Sequence, residues 1–186
     1  VDFKGKTYFF SHTGALRGGS GFTRSVAVEE LLFNSDGKVK EMNMTEGIKK
    51  GMGTLNPYAK SEAETIAWSK DVKSMQNKEV GVFITAMKNN AFTKVRDVDF
   101  RESGASKFTA RVGTTHNGNV SMEIRLDSLD GELIGTVKVP MTGGNDRWTL
   151  VATDIKKVSG VHDLYFIYKG NAAEKVMYFD YWMFSK

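Results

Sequence analysis

The chain has 186 residues, 40% of them hydrophobic, a net charge of +4 and no cysteine. That apolar content is enough for a real core and excludes a disordered chain. The missing thiols exclude disulfide frameworks, thiolate metal centres and cysteine nucleophiles. Lys and Arg are scattered among Asp and Glu, and the densest basic pairs, Lys49-Lys50 and Lys156-Lys157, fall in apparent turns. The charge therefore reads as a solvated surface, and no nucleic-acid partner is expected. No apolar run approaches a membrane span, so no membrane partner is expected either. The opening residues Val1 to Lys6 carry no signal-peptide pattern, so either the mature protein begins here or something upstream is missing.

In chain order, residues 6–12 read as a strand. The Gly-rich stretch from Gly14 to Gly21 follows. It lacks the Gly-Lys-Ser/Thr ending of a phosphate loop, and no helix start follows it, so no nucleotide role is expected. Residues 23–33 read as a second strand, Asn34-Ser35-Asp36-Gly37 as a turn, and residues 38–42 as the returning strand. Residues 45–57 carry three glycines without a clear period and read as a linker. Three or so strands cannot bury a core alone. Residues 1–50 must therefore pack on the rest or belong to a larger domain.

From Ser61 the pattern is strand after strand: 61–68, 79–85, 91–100, 106–113, 119–127, 132–139, 147–154, 162–169 and 176–184. Turn residues separate them at the spacing of a sandwich or barrel. Val120, Met122, Ile124 and Leu126 alternate with Ser121, Glu123 and Arg125, and Asp130-Gly131 then signals a hairpin turn. The expected fold is all-β, with residues 58–186 as a sandwich of two stacked sheets. The last run holds one acid, Asp180, among apolar residues. A carboxylate is costly to bury unpaired, so the acid either points outward or has a cation beside it.

These segments carry two resemblances. The run from Asn56 to Trp68 resembles the opening of a carbohydrate-binding module of family 6. Val98-Asp99-Phe100, residues 106–112, Ile124 to Ser128, Gly160 to Tyr165 and Phe179-Asp180-Tyr181-Trp182 resemble later stretches of that module, in order. Such modules are β-sandwich jelly rolls. Residues 8–16, 18–26 and 29–31 are similar to the end of a glycoside hydrolase family 43 catalytic domain, a five-bladed β-propeller that cleaves arabinose or xylose from plant polysaccharides. The resemblance implies the C-terminal part of a secreted, extracellular arabinofuranosidase or xylosidase. Its partners would be plant cell-wall xylan or arabinoxylan and the remainder of the propeller. The domains would then be residues 1–50, a linker at 51–57, and the module at 58–186. A free-standing lectin-like module with an extra hairpin is the alternative.

The family's catalytic carboxylates have no match in residues 1–50. An inverting glycosidase needs a general acid and a general base about 6.5–9.5 Å apart. Asp2, Glu29, Glu30 and Asp36 are the only acids before residue 40, and Glu29 and Glu30, adjacent on a strand, point to opposite faces. No catalytic residue is expected in this chain. His12 falls where the family has a histidine that supports the active site; an ordinary hydrogen-bonded strand-end histidine is the other reading. Arg24 is a candidate cleft contact or a surface cation.

In such modules two aromatics clamp a sugar ring and an Asn bonds to it. The resemblance places these roles at Phe83, Asn145 and Tyr178, and two of the three depart from the usual residue types. Either the module binds xylan through Phe83, Asn145 and Tyr178, or it has lost that cleft and braces the catalytic domain; the departures favour the second. The resemblance also implies a structural Ca²⁺ held by Glu62, Glu64, Asp99 and Asp180, all hard oxygen donors.

Overall fold

The computed structural model describes residues 1–14, 19–22, 24–42, 53–171 and 175–186. Part of the Gly-rich loop (15–18) and most of the expected linker (45–52) lie outside the described residues. Among the described residues every regular element is a strand, and the chain divides into two compact units, Val1–Gly53 and Thr54–Lys186.

The first unit is a three-stranded antiparallel sheet in the order β1 (Asp2–Phe3), β2 (Lys6–Thr13), β3 (Ser25–Leu31). Residues 38–42 do not form the expected returning strand. A single bridge, Phe33 to Val39, closes the Asn34–Gly37 turn, where Gly37 takes a positive φ of 78° and donates to the Asn34 carbonyl. Tyr8 is buried, but Phe9, Phe10, Phe33 and Val39 remain about half exposed. This sheet leaves much of its apolar surface uncovered, as a three-stranded unit must.

The second unit is a β-sandwich. Its strands are β4 (Ser61–Glu62), β5 (Trp68–Lys70), β6 (Val72–Asn77), β7 (Gly81–Ala86), β8 (Ala91–Asp99), β9 (Ala105–Gly113), β10 (Ser121–Leu126), β11 (Leu133–Lys138), β12 (Thr149–Val158), β13 (Val161–Lys169) and β14 (Met177–Ser185). One sheet has the order β11-β10-β13-β8-β5. The other has β12-β9-β14-β7-β6, with β4 also on β14. The expected strand at 61–68 is two short pieces instead. Residues 63–64 form a turn, and the Thr65 amide donates to the Glu62 carbonyl.

The core lies between the sheets, and the period-2 pattern of β10 meets it: Met122, Ile124 and Leu126 are buried while Ser121, Glu123 and Arg125 face out. Phe166 of β13 joins the two sheets. Its ring lies 5.7 Å from Phe108 of β9 and 5.5 Å from both Phe179 and Trp182 of β14. Tilted and edge-on pairs of this kind contribute about 0.5–1.5 kcal/mol each beyond the area they bury.

The register of β14 on β9 shifts between Phe179 and Tyr181. Asp180 is the extra residue of that β-bulge, which re-phases the strand so that Phe179 and Trp182, three apart, both enter the core.

Candidate functional site

The bulge decides how the closing strand's acid is accommodated. Asp180 is 2% exposed. The Arg111 guanidinium of the neighbouring β9 stands 3.5 Å from its carboxylate. Burial pushes the Asp180 carboxyl above the ordinary carboxylate range, against the pull of Arg111, and Glu62 and Glu64 push it the same way. Glu62 lies on β4, opposite Tyr181 of β14. Glu62 is exposed and pairs with Lys60 at 2.9 Å. Glu64 has a buried Oε2 with no hydrogen-bond partner among the described residues.

Asp99 does not join them. It lies on β8 in the other sheet and accepts from the Arg101 amide at 2.8 Å and from the Thr54 hydroxyl at 3.5 Å. Among the described residues no group of three or more Asp, Glu or His side chains stands close enough to hold a metal ion. The donor set open to a cation is thus narrower than the sequence suggests. What remains of the expected set is the orphaned Glu64 oxygen and the buried Asp180 carboxylate, hard donors of the kind Ca²⁺ takes.

Of the three expected sugar-clamp residues, Phe83 and Tyr178 are in contact and packed shut, while Asn145 is half-buried. Phe83 is fully buried, with Trp148 edge-on at 5.1 Å and Tyr178 edge-on at 5.9 Å. Tyr178 is 5% exposed. Arg111 lies over Trp148, 5.8 Å from its centroid. The main-chain carbonyl of Asn145 accepts from the Asn77 side chain at 2.6 Å. A sugar needs an open ring face, and Phe83 offers none as it stands. In the first unit His12 and Arg24 are both exposed, and Arg24 Nε donates to the Gly21 carbonyl at 2.8 Å.

An open groove lies elsewhere, on the outer face of the five-stranded sheet. It encloses about 350 Å³ and is lined by Phe92 and Ile167 at its floor and by Lys70, Glu123, Arg125 and Lys169 around them. Strand pairing builds it: Glu123, Ile167, Phe92 and Lys70 are successive cross-strand partners on β10, β13, β8 and β5. Facing residues in an antiparallel sheet share a face, so four strands each deliver one side chain to the same row. Three of these charges, Glu123, Arg125 and Lys169, are held in place. Arg125 Nε donates to Glu123 at 2.9 Å, and Lys169 donates to Asn90 at 2.8 Å and stands 3.7 Å from Glu123. The result is an apolar floor with fixed donors and acceptors around it, the pattern of a site for a hydroxyl-rich ring. Period-2 alternation puts Glu123 and Arg125 on the outer face, but which strands lie side by side is not written in any one segment.

The family model described as Carbohydrate binding module (family 6) matches residues 62–186. The chain belongs to carbohydrate binding module family 6. A family 6 module of Clostridium cellulolyticum, solved with xylose, shares 31% identity and a TM-score of 0.66 over 71% of this chain and all of that one. The likeness also runs through the first unit. A glycoside hydrolase family 43 arabinoxylan arabinofuranohydrolase from Bacillus subtilis, solved with cellotetraose, superposes with a TM-score of 0.88 at 33% identity, over 100% of this chain and 40% of that one. Among curated proteins, an arabinoxylan arabinofuranohydrolase of Paenibacillus polymyxa is 35% identical over 99% of this chain and 30% of its own length. The chain therefore spans about a third of the length of the curated arabinofuranohydrolases it matches.

Proposed function

We propose that this chain is the C-terminal part of a secreted, arabinoxylan-active glycosidase, and that its family 6 module anchors the enzyme to the xylan backbone through the groove on the five-stranded sheet. The geometry of that groove carries the reading: it is open, with Phe92 and Ile167 at its floor and fixed polar groups around them, whereas the Phe83 cluster is closed. The enzyme context rests on the likeness of both units together to arabinoxylan arabinofuranohydrolases. The uncovered apolar faces of the first unit support its place at the end of a larger catalytic domain, a propeller. Hydrolysis would belong to that domain. A structural Ca²⁺ beside Glu64 and Asp180 is part of the same proposal, supported by the orphaned Glu64 oxygen.

Affinity electrophoresis on arabinoxylan and on unsubstituted xylan tests the module. Retardation of the wild type, lost in Glu123→Ala and in Lys169→Ala but kept in Asn145→Ala, is the expected result. No retardation by either polymer, or loss in Asn145→Ala alone, overturns the groove. Turnover of an aryl-arabinoside by the 186-residue chain would overturn its assignment as a non-catalytic part.

A further inference from the structure

A second hollow adjoins the groove on the same sheet face. Ser121 of β10 pairs with Lys138 of β11 on one side and with Lys169 of β13 on the other. Ser121 is two residues from Glu123, so this row leaves the face that holds the groove. The hollow encloses about 370 Å³ and is lined by Ser121, Thr136, Lys138, Val139 and Pro140 among others. Lys169 lines the groove and is the cross-strand partner of Ser121, so it stands where the two meet. Together the groove and the hollow carry four cations, Lys70, Arg125, Lys138 and Lys169, against two acids, Glu123 and Asp130. Glu123 is already shared by Arg125 at 2.9 Å and Lys169 at 3.7 Å. The Lys138 side chain is exposed, and neither its ammonium nor the Ser121 hydroxyl has a hydrogen-bond or ion-pair partner among the described residues. A neutral sugar's hydroxyls are served by a matched pair such as Arg125 with Glu123. The surplus of positive charge around Ser121 gives such a sugar nothing, but it attracts an anion.

Resting on the groove reading above, we propose that the hollow beside Ser121 is a subsite for a uronic-acid side group, so that the chain prefers acidic xylan, whose backbone carries pendent carboxylate-bearing sugars, to the neutral polymer. The backbone lies in the groove. The pendent ring enters the hollow and rests against Val139 and Pro140. Its carboxylate accepts from the Lys138 ammonium and from the Ser121 hydroxyl, both charge-assisted bonds. Lys138 and Lys169 are two strands apart, roughly 10 Å between backbones. The flexible four-carbon stem of Lys138 lets its ammonium lean over Ser121, while Lys169, tied to Asn90, adds its charge from the groove side. Exposed ion pairs are individually weak, so the subsite sets a preference among xylans rather than an absolute requirement.

Isothermal titration with xylotetraose and with the same tetraose bearing one glucuronic-acid side group tests this, using the wild type, Lys138→Gln, Lys138→Arg and Glu123→Ala. The acidic sugar binds the wild type roughly tenfold more tightly at low salt, and 1 M NaCl removes most of that preference. Lys138→Gln weakens the acidic sugar by about fivefold, the order expected for one exposed ion pair, and leaves the neutral sugar unchanged. Lys138→Arg keeps the preference. Equal unfolding midpoints for the wild type and Lys138→Gln confirm that the loss is local. Equal affinity of the wild type for the two sugars, or a preference untouched by Lys138→Gln, overturns the subsite; if Glu123→Ala still abolishes binding of both sugars, the groove stands without it. Trigalacturonic acid or dextran sulfate binding as tightly as the acidic tetraose also overturns the subsite, because the face would then attract any polyanion. No binding of either tetraose to the wild type, or none of it lost in Glu123→Ala, overturns the groove and the subsite together.

Discussion

Replacing Phe83 by Ala separates a packing residue from a sugar platform. The ring is fully buried and contacts Trp148 and Tyr178 edge-on. Truncating a buried Phe to Ala costs about 3–5 kcal/mol, transfer and cavity together, and the two edge contacts account for roughly 1–3 kcal/mol of that. A domain of this size loses roughly 3–5 °C of Tm per kcal/mol, so the expected fall is about 10–20 °C. Circular dichroism through a thermal ramp measures it, and affinity electrophoresis below the variant's transition measures binding. The expected outcome is a large loss of stability with retardation on xylan retained. Retardation lost with an unchanged Tm would refute the reasoning, because it would make Phe83 an accessible clamp.

The other predictions concern buried ionisable groups. Because the folded state raises the Asp180 carboxyl above its ordinary value, it holds that proton more tightly than the unfolded chain does. Asp180→Asn should therefore leave stability at pH 7 in a chelator equal or higher, while removing any Tm gain the wild type shows with millimolar Ca²⁺; no Ca²⁺-dependent gain in the wild type counts against the cation site. Tyr168 is fully buried and bonded to the Thr93 hydroxyl at 2.8 Å, and burial drives its phenol far above the ordinary value near 10. The unfolded chain then loses that proton first, so stability falls above pH 10 by up to about 1.4 kcal/mol per pH unit. Tyr168→Phe should remove this slope in urea melts at pH 10–12 and cost about 1–3 kcal/mol at pH 7, where it leaves the Thr93 hydroxyl unpaired.

Much of the fold is legible in single segments because period-2 alternation and turn residues are local signals. The runs around Met122, Phe166 and Phe179 read as strands and are strands. What escapes is what depends on neighbours. Strand β6, Val72–Asn77, carries only Val72 and Met75 as large apolar residues in an edge position, too few to mark it. The stretch 61–68 breaks because Glu62 ends its pairing with β14 after two residues. The bulge at Asp180 is invisible in the strand's own residues, since the shift is defined against Arg111 and Val112 of β9. The candidate site follows the same rule. Phe83 and Tyr178 can be matched to a family's clamp by position, but their burial depends on Trp148, far away in sequence. The groove's floor and walls come from four strands, and only the pairing order brings Phe92, Ile167 and Glu123 together.

Strand β14 also sets a timetable. It pairs with β9 and β7 and takes β4 on the same side, so it joins the halves of the six-stranded sheet. During synthesis β4 to β13 leave the ribosome first, yet that sheet lacks its middle until residues 177–185 emerge. Trp182, Phe179 and Phe184 arrive with them, so the core closes last as well. The module must fold late and as one event, with long-range contacts dominating its rate. Until then β7 and β9 present open edges, the state in which such a sheet most readily pairs with another chain.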